Sequence, residues 1–235
     1  MALILRVDVD KPYGHSNLIR KVASKVSEDY FKIPLFSGIS YLSHFIRFLE
    51  YCNANGVPGF MYHRMCTIPD QHVNELLKAG GHQLGFHAEN TRTSATFAAE
   101  LKRFRQQTSL PVNSFTKHGS GTLKLGKHHY PPYEPGKYKV WAQQEGIGYY
   151  FGNGICTSAA DLFAVNGFFE NMFWVERDYR NASFSELKQV VDAARIQDVA
   201  ILIHPENFDT FKTVADDFKH LVQIAREQGV SWKVC

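Results

Sequence analysis

The chain has 235 residues, 44% of them hydrophobic and 21% charged, which suits one large α/β domain with a well-buried core, or two small ones. A net charge of +3 without a basic cluster argues against nucleic acid as a partner, and no segment approaches the roughly eighteen apolar residues that span a bilayer. Eleven histidines and 14% aromatic residues suit a pocket for a metal or a flat-faced ligand.

The chain opens on a strand, residues 2–7, apolar except for Arg6, which reads as a buried parallel strand. Asp8 and Asp10 follow at i, i+2 and point to one side of it, and Pro12 and Gly14 stop the strand. Strand ends are where α/β folds bind ligands and metals. Two acids crowded there repel each other unless a cation or a shared proton relieves them.

A helix-like pattern covers 16–32, and a clearer amphipathic helix is expected over 38–55. Residues 57–62 form a short apolar strand ending at His63. Pro69 and Asp70 open a helix through Ala79, which Gly80-Gly81 ends. Residues 82–86 make the next strand, ending at His87. A helix over 94–107 takes Ser94 as its cap, and the strand 112–117 leads to His118. A long loop over 119–136, rich in Gly, His, Tyr and Pro, carries the Gly119-Ser120-Gly121 turn and the run His128 to Tyr133.

A helix near 137–145, short strands around 149–151 and 172–175, and a helix over 183–196 come next. The apolar strand 199–203 ends at His204, and a helix over 214–228 and a strand over 230–234 close the chain. Strands alternating with helices imply a parallel sheet, closed as a barrel or open. In a barrel, Asp8, Asp10, His63, His87, His118 and His204 share one rim. His82 starts its strand, at the far end, and reads as structural.

The chain enters its first strand without a basic and apolar leader. Its four cysteines (Cys52, Cys66, Cys156, Cys235) form no CxxC pair, so it reads as a cytoplasmic protein with reduced thiols. The sequon Asn181-Ala182-Ser183 has no meaning in the cytosol.

Carboxylates and neutral imidazoles are ligands for Zn²⁺ and related ions, and such a set suits metal-assisted hydrolysis of an amide or ester. The segments LRVDVDKP (5–12), GGHQLGFHAENT (80–91) and ILIHPEN (201–207), in that order and spacing, resemble the metal-dependent polysaccharide deacetylases of the NodB-homology, carbohydrate esterase family 4 group. GVPGFMYH (56–63) looks like that family's second strand.

The resemblance implies a single domain over 1–235, a distorted (β/α) barrel of about seven parallel strands. It also implies a divalent ion such as Zn²⁺, and removal of acetyl groups from an N-acetylated sugar, an oligosaccharide or a sugar-linked precursor. By the same resemblance Asp8 matches the general base, Asp10 the metal-binding acid, His87 the first metal histidine and His204 the general acid.

Two departures stand out. The family's second metal histidine, four residues after the first, is replaced by Thr91, and its third motif by residues 116–121. Another strand end must then supply a ligand; His118 is the first choice and His63 the second. The YdjC-type deacetylases are similar in using a later histidine. Two other readings remain open: a deacetylase-like barrel that only binds glycans, and an Asp-x-Asp phosphatase. The second is weakened by Pro12, which stands where that class has Thr or Val, and by a late strand ending in His204 instead of acids.

Overall fold

The computed structural model describes residues 1–31, 40–119, 130, 132–155, 164–165, 168–176 and 187–234. Strand β1 (Ala2–Val9) is buried along its whole length. It is flanked on one edge by β2 (Gly59–His63) and on the other by β8 (Val199–Ile203), both parallel to it. From β2 the sheet continues through β3 (Gln83–Ala88), β4 (Ser114–Lys117), β5 (Tyr149–Ile155) and β7 (Phe168–Trp174) back to β8. Seven parallel strands therefore close a barrel. Outside that ring, β6 (Ala164–Val165) runs antiparallel to β7, and β9 (Ser231–Trp232) pairs with the start of β1.

Closure divides each strand's side chains into two sets. Ile4, Phe60, Tyr62, Phe151, Phe169, Met172, Ala200 and Leu202 pack together in the lumen. Leu3, Leu5, Val7 and Val9 face outward, into the layer they share with helix residues such as Phe45, Leu49 and Leu77. Gly85 pairs with Tyr62 in the β2–β3 register, and a Cβ at Gly85 would collide with the Tyr62 ring. This glycine makes room for an aromatic lumen.

The helices surround the sheet. In chain order they are α1 (Leu18–Val26), α2 (Ser43–Asn55), α3 (Gln71–Ala79), α4 (Ser94–Gln107), α5 (Pro135–Gln144), α6 (Leu187–Ala194), α7 (Pro205–Thr210) and α8 (Lys212–Glu227). A π-helical turn over Ser27–Phe31 follows α1. Asp70 caps α3, its carboxylate accepting from the Val73 N–H at 2.9 Å.

Some boundaries depart from expectation for local reasons. α2 begins at Ser43 because Ser40 and Leu42 take left-handed φ values of 52° and 51°. The cap of α4 is Thr93 in place of Ser94. Its backbone is extended, and its hydroxyl and that of Thr96 each accept from the other's N–H at 3.1 Å. α5 starts inside the expected 119–136 loop, at Pro135, whose fixed φ suits a first helical turn. Strands β5 and β7 run longer than their short apolar cores.

Cys52 and Cys66 are free and buried. Cys156, Cys235, Ser120, Gly121, His128, His129, the 181–183 sequon and the start of the 183–196 helix lie outside the described residues.

Candidate metal centre

The lumen-facing set continues beyond the strands' carboxyl ends. Asp8 is the last lumen-facing residue of β1, and Asp10 stands on the same side just past its end. His87 lies on β3 opposite Thr116, His118 just past β4, and His204 just past β8. Four strands thus deliver these side chains to one rim.

Three of them meet. His118 Nδ1 lies 3.0 Å from both Asp10 Oδ1 and His87 Nε2, and His87 Nε2 lies 3.1 Å from the same carboxylate oxygen. Around a zinc ion with bonds of about 2.0–2.1 Å, tetrahedral ligand atoms are separated by about 3.3 Å, close to this spacing. Three lone-pair atoms in contact repel unless a cation or protons lie between them. Burial opposes ionisation of Asp10, yet the facing imidazoles of His118 and His87 hold its carboxyl well below the usual carboxylate range. The donor set of one carboxylate and two imidazoles fits a divalent metal.

Backbone contacts fix this geometry. The His118 N–H donates to Ala88 O at 2.8 Å, tying β4 to β3. The buried Lys117 ammonium donates to His118 O at 2.6 Å, and the Asn153 amide donates to Lys117 O at 2.8 Å.

Two further groups border the three. Asp8 Oδ2 lies 3.7 Å from His87 Nε2. Both Asp8 oxygens accept from Arg6, at 2.8 Å from Nε and 2.5 Å from Nη2. Arg6 is itself buried in the lumen, donating also to Gly152 O and, at 3.1 Å, to Asn153 Oδ1. This two-point pairing offsets the desolvation of both charges and fixes the carboxylate's orientation.

His204 Nε2 stands 4.0 Å from Asp10 Oδ2, on the other side. Its Nδ1 lies 3.0 Å from Glu176 Oε1, which also accepts from the His204 N–H at 2.8 Å and from Asn207 Nδ2 at 3.3 Å. Burial would lower the His204 pKa, but the Glu176 carboxylate raises it to about 10. Nearby, burial and the Asp10 charge push the Glu206 carboxyl up to about 8.

The remaining candidates are placed elsewhere. His63 pairs with Val9 and Phe86, so it faces outward; its Nδ1 lies 2.5 Å from Thr67 O, and its ring packs edge-on against Phe45. Thr91 is buried with its hydroxyl 3.4 Å from that of Tyr138. His82 accepts from the Gly59 N–H at 3.1 Å and contacts Asn53 Oδ1 at 2.7 Å, a structural role at the opposite end of β3. In the aromatic run, the Tyr130 N–H donates to Glu89 O at 3.1 Å, and Tyr133 Oη meets Tyr150 Oη at 3.1 Å.

Several site residues were not among the sequence candidates. Arg6 registers in the sequence only as a break in an apolar strand, although a cation two residues before Asp8 falls on the same face. Glu176 follows Trp174 at i+2 past β7, the same strand-end signature that marks Asp10. Arg64 gave no signal. Its buried guanidinium donates to Asp10 O at 2.9 Å, to Glu89 Oε1 at 2.6 Å, and pairs with Glu28 at 3.3 Å. Comparison with models of known protein families and with curated protein sequences finds no match to this chain.

Proposed function

We propose that this protein is a metal-dependent hydrolase that removes the acetyl group from an N-acetylated sugar or sugar-linked precursor, as a divergent relative of the polysaccharide deacetylases. The observation that carries this reading is the meeting of Asp10, His87 and His118 between Asp8 on one side and His204 on the other.

Asp10, His87 and His118 would hold the ion. When bound, a divalent ion supplies Lewis acidity that eases deprotonation of water and polarises a carbonyl. Asp8, oriented by Arg6, takes the proton from water attacking the acetyl carbon. His204, kept protonated by Glu176, gives a proton to the departing sugar nitrogen. The C–N bond breaks, leaving acetate and a free amine, and each proton transfer is worth about 10²–10⁴ in rate. Trp174, its ring centre 6.0 Å from that of His204, walls this side of the site.

The test is metal analysis of the purified protein together with acetate release from N-acetylglucosamine oligomers, before and after chelation. Bound metal in the wild type, with release that chelation abolishes and added Zn²⁺ restores, supports the reading. Asp8→Asn is expected to keep its metal and lose release. A protein prepared with ample Zn²⁺ that binds none and releases no acetate overturns the reading.

A further inference from the structure

Helix α1 is inverted relative to a helix that covers a core. Its one fully buried residue is Ser24, 1% exposed, whose hydroxyl donates to Gly14 O at 3.0 Å and accepts from the Tyr13 N–H at 3.3 Å. Its large apolar residues face the other way: Leu18, Ile19 and Val22 are 75%, 80% and 54% exposed. Phe31, just beyond, is 56% exposed. Single exposed apolar residues are ordinary, but a contiguous group is a mark of an interaction surface. Tyr13, Leu18, Ile19, Val22, Ala23 and Val26 line an open apolar groove of about 500 Å³.

Cations predominate on this helix. The α1 sequence LIRKVASKV holds three cations and no acid. Lys25 pairs with Asp29 at 2.8 Å, and Glu28 is taken up by Arg64 and Lys11. Arg20 reaches the hydroxyls of Ser16 and Ser40 at 3.3 Å each. Lys21 is exposed, and among the described residues no carboxylate pairs with it or with Arg20. Apolar side chains bordered by Arg20 and the exposed Lys21 match the surface of a bilayer with anionic headgroups. A second copy docked through the same face would set Arg20 and Lys21 of one chain against those of the other, which like-charge repulsion disfavours.

We infer that α1 docks this protein on an anionic lipid bilayer, with Leu18, Ile19 and Val22 in the interface and Arg20 and Lys21 on the headgroup phosphates. The attachment is peripheral and reversible, because one nine-residue helix supplies it. It also sets the site beside the membrane. Glu28, two residues after the end of α1, pairs with Arg64, and Arg64 donates to Asp10 O. The inference stands apart from the hydrolase reading, since docking needs neither metal nor turnover.

The experiment is co-sedimentation of the full chain with vesicles of phosphatidylcholine alone, or of phosphatidylcholine mixed with phosphatidylglycerol. The wild type is expected to pellet with the mixed vesicles, weakly with phosphatidylcholine alone, and to be released by high salt. Lys21→Gln is expected to lower partitioning about fivefold, and Ile19→Ser with Val22→Ser to abolish it, both at unchanged melting temperature. Val140→Ser, at a 50% exposed apolar position on α5, is expected to bind as wild type. Wild-type protein that stays in the supernatant, equal binding by all variants, or equal loss in Val140→Ser overturns the inference. So does a wild-type dimer that Ile19→Ser dissociates while no vesicle binding is seen.

Discussion

Glu176 grips His204 twice through a single oxygen, at 3.0 Å from the ring Nδ1 and 2.8 Å from the backbone nitrogen. That leaves Nε2 directed toward the Asp10 carboxylate. The arrangement fixes both the ring's orientation and its proton. Glu176→Gln keeps the shape and removes the charge, so the variant is expected to bind metal as wild type while kcat falls by about 10²-fold or more. Metal content and acetate release measured on one sample check this, and undiminished turnover would show that His204 needs no carboxylate behind it.

Loss of a direct ligand should separate from that pattern. In His118→Ala the Asp10–His87 pair remains, but one of the three candidate ligand atoms is gone. Divalent-metal affinity is expected to drop at least about 100-fold, beyond the range seen for outer-shell partners. Titration of the apo variant with Zn²⁺ measures it. His63→Ala is expected to leave affinity unchanged, because that ring faces the helix layer against Phe45.

Arg64 ties the ends of β1, β2 and β3 together with the turn after α1. Replacing it with Met takes the guanidinium away from the buried carboxylates of Glu89 and Glu28, of which Glu28 keeps Lys11. Arg64→Met is expected to cost about 3–5 kcal/mol of stability, read by urea denaturation at neutral pH. Adding Glu89→Gln to the same chain should recover part of the loss, since one of the two buried acids facing the removed cation loses its charge.

Acid should destabilise the fold through histidines that are not among the candidate metal ligands. Burial lowers the pKa of His44 to about 3 and that of His82 to about 4, from an ordinary 6.5. The unfolded chain therefore takes up protons first as pH falls. The stability involved is complete above about pH 6.5 and is lost progressively toward pH 4, at up to about 1.4 kcal/mol per pH unit for each group. Both ring nitrogens of His44 lack a hydrogen-bond partner among the described residues. His44→Leu is expected to flatten this acid slope without loss of neutral stability; denaturation series at several pH values decide it.

Much of the fold is legible in the amino-acid sequence. The apolar runs at residues 2–7 and 199–203 are buried strands, and the acids and histidines after them do lie at one rim. Periodicity marks such elements because burial is set by side-chain alternation along each strand. Boundaries are less legible where one residue decides them. Thr93 outcompetes Ser94 as a cap through its bond with Thr96, and Leu42 delays α2 by its left-handed backbone.

Alternation along β1 alone requires that Asp8 and Asp10 share a side, and the order of residues alone puts histidines after several strands. Which histidine joins Asp10 depends on the tertiary register. His63 and His118 both stand at strand ends, but the register sets His63 beside Val9 and Phe86, outside the barrel, while His118 continues the lumen-facing side of Thr116. The partners of the proposed acid–base pair, Asp8 and His204, are hidden from the sequence for the same reason. Arg6 is local to Asp8 yet is held by Gly152 and Asn153, and Glu176 reaches His204 only because β7 and β8 lie side by side. Alternation gives each strand two sides; only closure of the ring decides which of them is the lumen.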